Sequence, residues 1–268
     1  MCIAPAARAA LARWAESPTL DAYPDPHVTA LRTALAARHQ LPAASLTFGP
    51  GSMEIIDRAL GVYGGPVVVA GPAWDGLVEL AARRGVEIRV ADYDVDAIAT
   101  ACDASTRLVY VSSPSYPLGR ALGDPAALLA RIPATLLWDE AFVEYGRQPS
   151  ALGLLPHDRL IVVRTFSKIF GLAGLRVGWA AGATERLRSA EPLYPISAPA
   201  QIAAVAALGD DAFVEAARAL NAAERDRIEA ALGARKLPYI PSEASFIWAG
   251  RVLDIGRPDQ NDKLINTL

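Results

Sequence analysis

The chain has 268 residues, 52% hydrophobic and 21% charged, a composition of the soluble globular class with enough apolar content for one large domain, or one large and one small. A formal net charge of -3 and an isoelectric point near 5.7 give no basic footprint for nucleic acid, which directs attention to small molecules and protein surfaces as partners. No run approaches the roughly 20 apolar residues that span a bilayer, the first residues lack the charged and apolar regions of a secretory leader, and Cys2 and Cys102 fit no metal or disulfide spacing, so the cytoplasm is the expected compartment.

In chain order, "HVTALRTALAARHQL" and "SMEIIDRALGVYG" have helical spacing, the second opened by Gly49-Pro50-Gly51-Ser52. From Pro66 onward, short apolar, β-branched runs alternate with helical patterns: "PVVVAG", "LVELAARRG", "VEIRVADY", "VDAIATAC", "RLVYVSSP", "PAALLARI", "ATLLWDEA" and "RLIVVRTFS". Such alternation predicts a three-layer α-β-α fold around a mostly parallel sheet, whose near-continuous apolar strands are buried by helices on both faces. Further on, "PAQIAAVAAL" and "DAFVEAARALNAAERDRIEAAL" read as helices and "ASFIWAG" as a strand. This organisation predicts a large domain over residues 25–195, with residues 1–24 and 196–268 forming a short arm and a small C-terminal α+β lobe that shares the chain's core.

Polar residues stand out at the predicted carboxyl ends of strands, where sites on such sheets collect. Lys168 directly follows "IVVRTFS", and Thr165, Ser167 and Arg176 supply two hydroxyls and a guanidinium around it, a set suited to a dianionic phosphate. A solvated loop lysine is the plainer reading. Asp139 ends the apolar run "TLLWD", where a carboxylate requires a cationic or donor partner; it either caps a helix or faces a protonated nitrogen of a ligand. Gly51 and Ser52 precede a helix whose first amides are unsatisfied, so that they either cap it or hold an anion. Trp74 in "AGPAWDGL" is either packing or a platform for a flat ring.

The stretch "RTFSKIFGLAGLRVGW" closely resembles the lysine motif of fold-type I pyridoxal-phosphate enzymes, specifically of histidinol-phosphate aminotransferases and their relatives, and the resemblance runs from about Tyr23 to Gly250. It implies an aspartate aminotransferase-like large domain and a pyridoxal 5'-phosphate-dependent transaminase that exchanges an amino group between a small amino donor and a 2-oxo acid acceptor. Carried over position by position, Lys168 would bind the cofactor's aldehyde, and Asp139 would pair with its ring nitrogen. Thr165, Ser167, Arg176 and the amides of Gly51, Ser52 and Met53 would hold its phosphate, with Trp74 stacked on the ring. Tyr23 in "AYPDP" would reach the cofactor phosphate of a second subunit, which implies a homodimer, and Tyr194 in "EPLYPIS" would stand near the substrate.

Other positions depart from the family. Its "SPNNPTG"-like loop reads "SSPSYPLGR" here, so Tyr116 replaces an asparagine at the cofactor's phenolic oxygen, and Phe142 replaces a tyrosine that also donates there. The "RVLDIGRPDQ" segment resembles the family's final "R-I-S-I-G" with an intervening stretch missing; Arg251, one position out of register, is the expected substrate-carboxylate clamp, with Arg257 as the reserve. Two further readings accompany the transaminase: "DEAF" also occurs in related threonine-phosphate decarboxylases, and Tyr116, Phe142 and the shortened ends suit a degenerate cofactor-binding homologue.

Overall fold

In the computed structural model, which describes residues 3–17, 19 and 21–268 and so leaves Cys2 outside, helix α1 (Pro5–Ala15) places a proline in its first turn, where the missing N–H has no partner to lose. Then follow α2 (Thr29–His39), β1 (Leu46–Gly49), α3 (Ser52–Tyr63), β2 (Val67–Gly71), α4 (Asp75–Arg84), β3 (Ile88–Asp92), α5 (Val95–Ala101), β4 (Leu108–Ser112), α6 (Pro125–Leu129), β5 (Thr135–Asp139) and β6 (Leu160–Thr165). The described chain closes with β7 (Gly178–Gly182), α7 (Glu185–Ser189), α8 (Ala198–Leu208), α9 (Asp211–Ala234), β8 (Phe246–Trp248), β9 (Val252–Asp254) and α10 (Pro258–Thr267).

The described residues build a seven-stranded sheet in the order β1-β7-β6-β5-β4-β2-β3. Strands β2 to β6 pair in parallel, while β7 runs antiparallel to both β6 and β1. The expected mostly parallel sheet is therefore present. Two of its strands escape sequence reading: β1 has only four residues, "LTFG", and β7, "GWAAG", contains no β-branched residue.

Alternate residues of the parallel strands feed two cores. Val68, Val109, Leu136 and Val162 face α1, α2, α5, α6 and α8; Val67, Leu108, Leu137 and Ile161 face α3, α4 and α7. Burial on both faces explains why these strands read as continuous apolar runs rather than alternating ones. The second face matters for function, because Tyr110, Asp139 and Thr165 have the parity that points toward α3 and α4 at the carboxyl ends of β4, β5 and β6.

The C-terminal lobe combines α9, whose 24 residues span about 36 Å, with the β8–β9 hairpin and α10. Ile228, Leu232, Ile247, Leu253 and Ile255 form a small core of its own, whereas Ala244 and Phe246 join the main one. Asn261, buried on α10, donates to Glu224 of α9 at 2.7 Å and so docks the last helix. No helix among the described residues is long and apolar enough to cross a membrane.

Candidate active site

Lys168 lies three residues beyond the end of β6, in a loop closed by the Leu172 N–H donating to the Phe166 carbonyl at 3.0 Å and by Gly171, whose φ of +70° suits glycine. Its side chain is half-buried, and Nζ stands 4.6 Å from the ring centroid of Phe142. Burial pushes the ammonium pKa down; the Asp139 and Asp254 carboxylates oppose that shift, and the Arg176 guanidinium adds to it. The result is an amine that releases its proton more readily than an exposed lysine.

Asp139 is 5% exposed at the end of β5. Its Oδ1 accepts from the Ala141 N–H at 3.0 Å, and its Oδ2 accepts from the Tyr110 hydroxyl at 2.8 Å. Burial dominates and raises its pKa to about 6, against the pull of the Tyr110 and Ala141 hydrogen bonds and of the Lys168 charge. A buried carboxylate in this condition is stabilised by a cation placed before it. Its neighbour Glu140 serves structure instead, bonding Arg164 at 2.9 Å, Ser150 at 2.7 Å and the Ala151 N–H at 2.6 Å.

The anion cup is assembled from two segments far apart in sequence. Gly51, with φ +89°, caps α3, and a methyl group added at Gly178 would collide with the Gly51–Ser52 peptide, so the start of β7 lies directly against the amino end of that helix. The contact brings in Arg176, a non-glycine residue at φ +55°, the kind of strained backbone that collects at functional sites. Its guanidinium donates to the Ala173 carbonyl at 2.9 Å and lies 3.4 Å from the Pro50 carbonyl and 3.5 Å from Ser167 Oγ. Thr165 Oγ1 is 2.9 Å from Ser167 Oγ and accepts from the Ser167 N–H at 3.1 Å. The amides of Ser52 and Met53 at a helix start, two hydroxyls and a guanidinium converge there, the donor set of a phosphate site, whereas the Gly51 N–H donates to the Gly49 carbonyl at 2.7 Å and Gly51 does not line the cavity. Beneath it, buried Arg58 anchors α3 by donating to the Phe48 carbonyl at 2.7 Å and the Leu187 carbonyl at 3.1 Å.

Ser52, Met53, Trp74, Tyr116, Asp139, Thr165, Ser167, Lys168 and Arg176 line one cavity of about 510 Å³, so nearly all of the cofactor set read from the sequence converges. Trp74 is held in place: Nε1 donates to Tyr110 Oη at 3.2 Å, and only a glycine fits at position 76 beneath its ring. Tyr116 packs edge-on against Phe246 at 5.1 Å between centroids. Tyr23 and Tyr194 lie outside the cavity lining and stack on one another, centroids 5.1 Å apart and 15° from parallel.

The two arginines expected to clamp a substrate do not line this cavity. The β8–β9 hairpin turns at Gly250, φ +71°, and leaves Arg251 beside that turn in a separate groove, while Arg257 opens α10 and pairs with Asp259 at 3.2 Å. What β9 delivers to the cavity is exposed Asp254, a carboxylate. Asp254 and Ser112 are polar lining residues that the sequence did not single out, and Tyr110 reaches the site through its bond to Asp139. Tyr110 stands two positions before Ser112, the register partner of Asp139, and only that register reveals that the two side chains share a face.

This fold and site define a class. Residues 3–254 match the family model of aminotransferase class I and II, and the chain belongs to that family. Among curated relatives it is similar to the histidinol-phosphate aminotransferase of Shouchella clausii, 36% identical over 245 residues that cover 84% of this chain and 66% of that protein. The structure of histidinol-phosphate aminotransferase from Sinorhizobium meliloti in complex with pyridoxal-5'-phosphate is 25% identical, with a TM-score of 0.84 over 91% of this chain and 71% of the other. That of the enzyme from Clostridium acetobutylicum, 18% identical, shares the fold at a TM-score of 0.87 over 98% of this chain and 94% of the other. The chain spans about two thirds of the length of the curated relatives it matches.

Proposed function

We propose that the protein is a pyridoxal 5'-phosphate-dependent transaminase of the histidinol-phosphate aminotransferase type, with residues 25–195 as its cofactor domain. The observation that carries this reading is the convergence of a half-buried lysine, a buried carboxylate and a phosphate cup in one cavity. The cup suits the cofactor phosphate, Asp139 its protonated ring nitrogen and Lys168 its aldehyde. When bound, that cofactor supplies an aldehyde reactive toward amines and a ring that accepts the electron pair left by deprotonation.

The chain's own residues do the rest. Arg176, Thr165, Ser167 and the α3 amides hold the phosphate end. Trp74, pinned by Tyr110, covers the cavity wall and excludes water from one side. Asp139 keeps a proton on the nitrogen opposite it, and Lys168, its pKa lowered by burial, takes and returns the proton at the substrate carbon. At the substrate end, Asp254 disfavours an anionic group beside the amine, a carboxylate or a phosphate alike, and so favours donors such as histidinol that carry neither. Phe142, Asp254 and the distant Arg251 and Arg257 also support a second reading, a cofactor-binding homologue with weak turnover.

We expect purified protein loaded with cofactor to show a visible absorption band that shifts on adding histidinol phosphate or glutamate, with formation of an oxo acid. A band that no donor in a broad panel shifts supports the weak homologue, and carbon dioxide release without an oxo acid supports the decarboxylase. In the same panel, Asp254→Asn should raise kcat/KM for glutamate relative to histidinol by roughly fivefold, since an exposed like-charge contact is worth about 1 kcal/mol in water.

We also propose a cytoplasmic homodimer. Tyr23 is 82% and Leu193 72% exposed, and with Tyr194 they form an aromatic and aliphatic surface suited to burial against a second copy. Light scattering should give about twice the 28.3 kDa chain mass; a monomer that binds cofactor fully would oppose it.

A further inference from the structure

Two hydrogen bonds at the cavity meet on one atom. Tyr110 is 2% exposed on β4, its hydroxyl accepts from the Trp74 indole N–H at 3.2 Å, and it stands 2.8 Å from Asp139 Oδ2. An indole N–H can only donate, so it occupies an acceptor position of the hydroxyl and directs the phenolic proton toward the carboxylate. The chain therefore has a polarity, from Trp74 through Tyr110 to Asp139, and it delivers a donor to the carboxylate. With the Ala141 N–H on Oδ1 at 3.0 Å, both Asp139 oxygens are held from behind.

We propose that Tyr110 is a positioning residue of the site: it couples the aromatic wall at Trp74 to the carboxylate at Asp139, fixes the orientation of that carboxylate and keeps it ionised. In the transaminase reading, on which the functional weight of this inference rests, one hydroxyl then sets both the plane of the ring platform and the charge that faces the ring nitrogen. The groups that act electrostatically on Asp139 are few. The Lys168 ammonium across the cavity favours its ionised form, and Glu140, next in the chain and turned away toward Arg164, disfavours it. Burial works against ionisation throughout, so the Tyr110 donor is the largest of the opposing influences. Tyr110 in turn is held neutral, its own ionisation pushed far up by burial and by the neighbouring carboxylate, and therefore stays a donor across the working pH range.

The test uses the apoprotein and does not depend on turnover. In Tyr110→Phe, which removes one oxygen and keeps the ring, the Asp139 carboxyl, followed by NMR with carbon-labelled aspartate and assigned through Asp139→Asn, should titrate about one unit higher than in the unaltered protein. Trp74→Phe, at the half-buried far end of the chain, should move it in the same direction by a smaller step. In the loaded protein, Tyr110→Phe should lower kcat with little change in KM and shift the pH dependence of the visible band upward. An Asp139 titration unmoved in a folded Tyr110→Phe protein overturns the inference, even where cofactor binds normally. If Tyr110→Phe does not fold, an unmoved titration in Trp74→Phe overturns the coupling on its own. Failure of the unaltered protein to take up pyridoxal phosphate would sink the transaminase reading while leaving the apoprotein titration as a valid test of the carboxylate's support.

Discussion

Lys168→Ala is expected to reduce turnover by roughly 10³-fold or more and to abolish the visible band of covalently held cofactor. The size follows from what the cavity offers. Its lining holds two cationic side chains, and Arg176 is committed to the phosphate cup, with its guanidinium close to Pro50, Ala173 and Ser167. Lys168 is thus the only amine among the lining residues, and an arginine, which does not deprotonate, cannot replace it. Binding of the cofactor phosphate should persist in this variant because the cup is built from other residues. Equilibrium dialysis showing retained cofactor beside an assay showing lost turnover would be the signature, and turnover within tenfold of the unaltered protein would remove Lys168 from the mechanism.

Asp139→Asn should separate stability from activity. Burial raises the folded-state pKa of Asp139 from 3.8 to about 6, so its contribution to stability is fully present below pH 4 and is lost as pH rises through about 6. That difference corresponds to roughly 3 kcal/mol in the apoprotein by pH 7 and above. Asparagine carries no charge to bury and can still accept from Tyr110. The apo variant should therefore be at least as stable as the unaltered apoprotein at pH 7.5, with a smaller loss of thermal midpoint between pH 5 and pH 7.5. In the loaded protein the ordering inverts. Without the carboxylate the ring nitrogen loses the charge that keeps it protonated, and turnover should drop by roughly 10² to 10³, the scale seen when one preorganised electrostatic partner is removed. Thermal scans of both apoproteins at the two pH values, with initial rates of both loaded forms, check the inversion; an apo variant markedly less stable at pH 7.5 would show that Asp139 serves the fold rather than the site.

Much of the candidate site was legible in the sequence, because its residues are encoded locally. Lys168, Thr165, Ser167 and Arg176 fall within one short stretch after a strand, and Asp139 breaks an apolar run; a motif of that kind keeps its meaning without knowledge of where other segments lie. Strands β2, β4, β5 and β6 were legible for a related reason, since burial on both faces writes continuous apolar residues into each. Strand β7 was not, because "GWAAG" takes its place through its pairing with β1 and β6 and through the close passage of Gly178 past the start of α3, neither of which leaves a local pattern.

The substrate end shows the limit most clearly. Arg251, Asp254 and Arg257 lie within seven residues of one another; the hairpin turn at Gly250 sends the first toward a groove, the second to the cavity and the third to the head of α10. Composition and motif by themselves determined the class of fold and pointed to the candidate lysine, carboxylate and anion-binding residues, since each reading depends on residue type and near spacing. The tertiary structure alone decided that Tyr110 stands behind Asp139 and that Asp254 rather than an arginine meets the cavity, since strand register and hairpin geometry are set by packing between segments distant in the chain.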